Sequence, residues 1–127
     1  MEVRVVDAGG VRYTEVLPGT VSFASEQDAL DLVGACAGTL AWAALVHGDA
    51  LSERFLDLRT GLAGAILQKF VNYRLPVAVL WTGEVPGGRF GEYVRETNRG
   101  GHVRLFSDRA AAEAWLAERA LTDAPSG

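Results

Sequence analysis

The chain is poor in cysteine and lysine: its 127 residues include one cysteine, Cys36, and one lysine, Lys69, the other eleven basic residues being arginines. A single thiol excludes an internal disulfide and a cysteine-based zinc site, which leads us to expect a reducing cytoplasm. No apolar run approaches the roughly 20 residues needed to cross a bilayer. Met1-Glu2-Val3-Arg4, followed by a glycine turn, lacks the basic start and apolar stretch of a signal peptide. Positive charge is not in excess either, since the net charge is −4. No broad basic field is therefore available to gather a nucleic-acid backbone. What remains is 49% hydrophobic and 22% charged, the balance of one soluble globular domain with a sizeable core. We place it at residues 3–120, with 121–127 as a disordered tail.

Val3, Val5 and Val6, then Gly9-Gly10, then Val11, Tyr13 and Val16 read as a β-hairpin. Ser25 opens a helix whose apolar positions, Ala29, Leu30, Val33, Cys36 and Ala37, recur at helical spacing until Gly38 closes it. The short apolar run 40–46 predicts a strand covered on both faces, with His47-Gly48-Asp49 as its exit loop. The strongest helix spans 59–74, with Leu62, Ile66, Phe70 and Tyr73, beside Ala63, Leu67 and Val71, on a broad buried face. Pro76 starts a further strand through Trp81, and a Gly/Pro loop covers 82–88. A short helix over 90–98, a strand over 102–106 and a last helix capped by Ser107 or Asp108 complete the series. The predicted order is β-β-α-β-α-β-α-β-α, an α/β fold with a mixed, mainly parallel sheet packed by helices and joined by right-handed crossovers.

Phe55-Leu56-Asp57-Leu58-Arg59-Thr60-Gly61-Leu62-Ala63-Gly64-Ala65-Ile66-Leu67-Gln68-Lys69-Phe70, with Asn72-Tyr73-Arg74 and Glu96-Thr97-Asn98-Arg99-Gly100, resembles the bacterial family catalogued as domain of unknown function 4180. That resemblance implies a fold and assigns no chemistry. More distantly, the element order is similar to the STAS domains of anti-sigma-factor antagonists. In those, a phosphorylatable serine precedes a glycine at the start of the helix that touches a partner kinase. Thr60 before Gly61 stands in the serine's place and Asp57 lies three residues upstream, whereas Leu58-Arg59 replaces a shorter polar spacing. The resemblance implies a STAS-like fold and a partner-binding surface at the start of this helix.

Thr60 can serve as an N-cap or as a phosphoacceptor at the positive end of a helix. Gly61 and Gly64 each cost a helix about 1 kcal/mol relative to alanine, which close packing on a strand or a partner backbone, or a ligand at the helix start, would offset. Ligands of open α/β sheets bind beyond the carboxyl ends of the strands. That rule gathers His47, Asp49, Trp81, Thr82, Glu84, Ser107 and Asp108 with Arg59 and Thr60 around one mouth. Arg89, in Pro86-Gly87-Gly88-Arg89, and Asn98-Arg99 are further anion or partner contacts, although the first segment is also a plain turn and the second a plain helix closure. Trp42, Trp81 and Trp115 read as core or interface residues, and Cys36 as a small core hydrophobe.

The expected function is that of a non-catalytic binding or regulatory module of the bacterial cytoplasm. Its ligand or partner residues are Arg59, Thr60, Gly61, Gly64, Trp81, Thr82, Arg89, Asn98 and Arg99, and it engages a partner protein or a small molecule. Nucleic acid, membrane, metal and cofactor are not expected. The alternative is a small cofactor-independent enzyme of specialised metabolism in which His47, with Asp49 or Glu84, is the general base. A structural homodimer is a third reading.

Overall fold

The computed structural model describes residues 1–19, 23–48, 51, 55, 57, 60–81 and 101–123. Among these, five strands form one sheet: β1 (Val3–Ala8), β2 (Val11–Val16), β3 (Ala44–His47), β4 (Val77–Leu80) and β5 (Val103–Phe106). Three helices accompany them: α1 (Glu26–Thr39), α2 (Leu62–Asn72) and α3 (Arg109–Asp123). The strand order is β1-β2-β3-β4-β5. β1 and β2 are antiparallel, and every later pair is parallel.

The hairpin closes where Ala8 pairs with Val11. Gly9 and Gly10 both take positive φ, 63° and 82°, the combination that matches a two-residue turn to the twist of its strands. α1 begins where the Asp28 carboxylate accepts the backbone N–H groups of Ala24 and Ser25. It ends one residue beyond Gly38, and the left-handed closing residue is Leu40, at φ 58°. The β3 strand is shorter than the apolar run suggested. Residues 41–43 leave the helix as a connection, and His47 is the last strand residue, not part of the exit loop.

α2 is also shorter than its periodicity. Its capping residues are Gly61 and Tyr73, and Tyr73 and Val71 are 49% and 41% exposed instead of buried. The helix stops before the wheel can carry Tyr73 inward, and Val71 sits at the edge of the apolar stripe, about 100° from Phe70. The expected helix over 90–98 and the loop before it lie outside the described residues. The last helix is capped by Asp108, whose Oδ2 accepts the Ala111 N–H at 3.0 Å, and it runs to Asp123. Of the expected tail, residues 124–127 lie outside the described residues.

Period-two alternation divides the core into two layers. Val16, Ala44, Val46, Val77, Val79 and Val103 face Leu32, Cys36, Ile66 and Phe70 of α1 and α2. Tyr13, Leu45, Ala78 and Leu80 face Ala112, Trp115 and Leu116 of α3. Cys36 is fully buried, and burial pushes its thiol up to about 11, so it packs as a hydrophobe. Trp115 is in the core, while Trp42 and Trp81 are partly buried against it.

Candidate functional site

The α3 face of the sheet is interrupted by a carboxylate. Tyr13 and Glu15 share one side of β2, and Glu15 is only 2% exposed. Burying an unpaired carboxylate costs several kcal/mol, so its partners determine whether the fold tolerates it. Arg4 Nε and Nη2 donate to Oε1 at 3.0 and 2.9 Å. Arg109, the first residue of α3, donates from Nη2 to Oε2 at 2.9 Å and from Nη1 to Oε1 at 3.3 Å. His47 Nε2 lies 2.7 Å from Oε2. The Tyr13 hydroxyl accepts from Arg109 Nη1 at 3.0 Å and donates to Glu113 Oε2 at 2.6 Å. One carboxylate thus ties β1, β3 and α3 to β2.

Burial alone would raise the pKa of Glu15, but the hydrogen bonds from Arg109, His47 and Arg4 outweigh it and bring the group down to about 2. Glu15 is therefore an anion at any ordinary pH. Burial, reinforced by Glu113, pushes the Tyr13 phenol up to about 12, which keeps it a neutral donor. The hydrogen bond to Glu15 raises Arg109 further above its already high range.

The cluster lies at the carboxyl ends of β2 and β3, where the open-sheet rule places ligands. His47 is in that region, and the carboxylate it meets is Glu15. Asp49 and Glu84, the partners considered from sequence, lie outside the described residues, as do Arg59, Thr82, Arg89, Asn98 and Arg99. Trp81 follows β4 directly, and its backbone N–H donates to the Phe106 carbonyl at 2.7 Å. Its indole lies over Gly48, where a Cβ would collide with the ring. Gly48 is thus a glycine because the tryptophan needs the space. Glu15, Arg4 and Arg109 were missed by sequence reasoning. The available signal was parity, because Glu15 shares the strand face of Val11 and Tyr13.

At the start of α2, the Thr60 hydroxyl donates to the Asp57 carbonyl at 2.8 Å and accepts the Leu62 N–H at 3.2 Å. It performs the work of a cap from one position earlier than the cap itself, which is Gly61 at φ 71°. Thr60, Gly61 and Gly64 are all exposed. Among the described residues nothing lies within 4 Å of where a Cβ would project from Gly61 or Gly64. Among the described residues, neither glycine is packed closely on a strand. Gly61 is explained by its left-handed backbone, and Gly64 has no such explanation.

An apolar cavity of about 20 Å³ lies on the α1 and α2 side, lined by Phe23, Val46, Phe55, Ile66 and Phe70 among others. It has room for about one water and no polar group to hold one. Among the described residues, no group of three or more His, Cys, Asp or Glu side chains is placed to hold a metal ion, and no helix is long and apolar enough to cross a membrane.

No curated protein and no solved structure matches the chain. A family model, Domain of unknown function (DUF4180), matches residues 8–116. That span takes in the hairpin turn, the buried Glu15, the start of α2 and most of α3, and on it the chain belongs to the DUF4180 family.

Proposed function

We propose that this protein is a binding or regulatory module of the bacterial cytoplasm, STAS-like in architecture, which engages a partner protein through the exposed start of α2 around Thr60, Gly61 and Gly64. The observation that carries the reading is Gly64. A glycine inside a helix costs about 1 kcal/mol relative to alanine, and this one is exposed, with open space around it. A surface that must come within backbone distance of α2 accounts for a missing side chain that the described fold does not require. The reading assigns no reaction to this surface.

Thr60 gives the same surface a means of regulation. Its hydroxyl proton is committed to the Asp57 carbonyl. A phosphoryl group would remove that donor and set negative charge against a carbonyl oxygen, while being favoured by the N-terminal end of α2. The segment before the helix would then have to rearrange.

Gln68 is exposed one turn beyond Gly64, so a photo-crosslinking residue placed there in the native host reports what approaches. The expected result is one adduct of defined mass, lost in a Gly64→Arg background and absent when the crosslinker replaces Ala114 on α3. Equal labelling at positions 68 and 114, or an adduct indifferent to Gly64→Arg, overturns the reading. Native mass spectrometry of freshly purified protein tests the small-ligand version, in which a retained molecule accompanies the chain.

A further inference from the structure

We infer that the α3 side of the sheet carries an acid–base site of its own, separate from the α2 surface: His47, oriented by Glu15 and flanked by Arg109, is a general base for hydrolysis of a small ester. The starting observation is a buried carboxylate, held by partly exposed cations, where neighbouring strand positions on the same face, Leu45, Ala78 and Leu80, are apolar. Apolar residues of similar volume commonly replace a buried ion pair without loss of stability. Fold stability alone therefore gives little reason for Glu15.

The hydrogen-bond inventory gives the cluster a direction. A carboxylate only accepts, so the proton in the 2.7 Å contact belongs to His47 Nε2. In the neutral imidazole that leaves the lone pair on Nδ1, which has no hydrogen-bond partner among the described residues. The side chain is 17% exposed. Arg109 shares Oε2 with His47, is itself 37% exposed, and its Nε–H has no hydrogen-bond partner among the described residues. The site thus contains a base, the group that orients it, and a cation to meet an oxygen gaining negative charge.

The step balances without a cofactor. His47 Nδ1 takes a proton from a water molecule as the water oxygen bonds to the ester carbonyl carbon. The carbonyl π electrons move onto its oxygen, beside the Arg109 guanidinium. Collapse reforms the carbonyl and breaks the bond to the leaving oxygen, which departs with the proton returned by His47. The products are a carboxylic acid and an alcohol. Glu15 touches no substrate and acts as a positioning residue.

The test uses the full chain and p-nitrophenyl acetate, following release of the nitrophenol. His47→Gln leaves Glu15 paired with Arg4 and Arg109, so the fold survives, as circular dichroism would verify. The expected result is a fall of roughly tenfold or more in the protein-catalysed rate, with His102→Gln unchanged. Equal rates for the unmodified chain and His47→Gln overturn the proposal. For Glu15→Gln, the expected result is a lower rate together with loss of the single-tautomer pattern of the His47 ring nitrogens by NMR. A lower rate with the tautomer pattern intact overturns the role of Glu15, and if that variant does not fold, the His47→Gln comparison decides.

Discussion

The two faces of the sheet are built on different terms. Under α1 and α2, valines from four strands meet leucine, isoleucine and phenylalanine, and cohesion comes from apolar area removed from water. Under α3 the apolar layer is smaller, Tyr13, Leu45 and Leu80 against Trp115 and Leu116, and its continuity at the carboxyl edge is given up to Glu15 and its partners. The first face is tolerant of pH and indifferent to direction. The second depends on charge and fixes its groups at hydrogen-bond distance, which a core of hydrocarbon does not do. On this comparison, charge is gathered on the face with the poorer core, and apolar cohesion is greater on the other.

The largest test of that division is Phe70→Ala. Phe70 is 3% exposed and meets Phe23 edge to face, with ring centroids 6.5 Å apart. Its loss is expected to cost about 3–5 kcal/mol in denaturant unfolding, at every pH at which the protein folds. Next comes Glu15→Gln, expected to cost about 2 kcal/mol near neutral pH, because the cations left behind are partly solvated. Its pH dependence separates the faces. The folded pKa of Glu15 is about 2, below the ordinary 4.5, so its contribution is complete above pH 4.5 and is lost as pH falls through about 2. The denaturation midpoint of the unmodified chain should therefore drop through that window more than that of Glu15→Gln, whereas Phe70→Ala should fall in parallel with the unmodified chain. Parallel curves for all three would mean that Glu15 is not the acid-sensitive element.

The apolar face was legible in the sequence because its signals are local. Valines in short runs, glycines at a hairpin turn, and leucine, isoleucine and phenylalanine at helical spacing need no knowledge of what lies opposite. The errors on that face are local too. Tyr73 fits the apolar stripe of α2, yet the helix ends at Asn72 and it emerges into solvent, while Val71, inside the helix, lies at the edge of the stripe and is 41% exposed. The α3 face was hidden for a different reason. Glu15 and Arg109 are 94 residues apart, and nothing near either says that the other exists. Parity places Glu15 on the face of Val11 and Tyr13, but it does not name the residues of β1, β3 and α3 that enclose it. His47 was recognisable as a residue at the end of a strand, but its carboxylate partner depended on which strands became neighbours.

The contact between Gly48 and Trp81 links the end of β3 to the end of β4 at this same edge. Gly48→Ala drives a methyl group into the indole, and overpacking of this kind costs about 1–3 kcal/mol. The expected readout is a loss of stability together with a shift in tryptophan fluorescence. An unchanged emission spectrum would show that the indole is not held where the carboxyl edge needs it.

The smallest effect has the opposite sign and lies at the rim of the well-packed face. Gly61 and Leu40 both flank helices in the left-handed region, at φ 71° and 58°. At Gly61 the residue suits the backbone. At Leu40 a γ-branched side chain is held where glycine is favoured, and it is 87% exposed, so it gains little burial to offset the strain. Leu40→Gly removes a conformational cost of about 1 kcal/mol while discarding almost no contact, and should raise the unfolding midpoint slightly despite the greater freedom glycine brings to the unfolded chain. A fall in the midpoint would mean that Leu40 contributes packing at the end of α1 that its exposure conceals, and the contrast between a face built for stability and one built for charge would then extend to its rim.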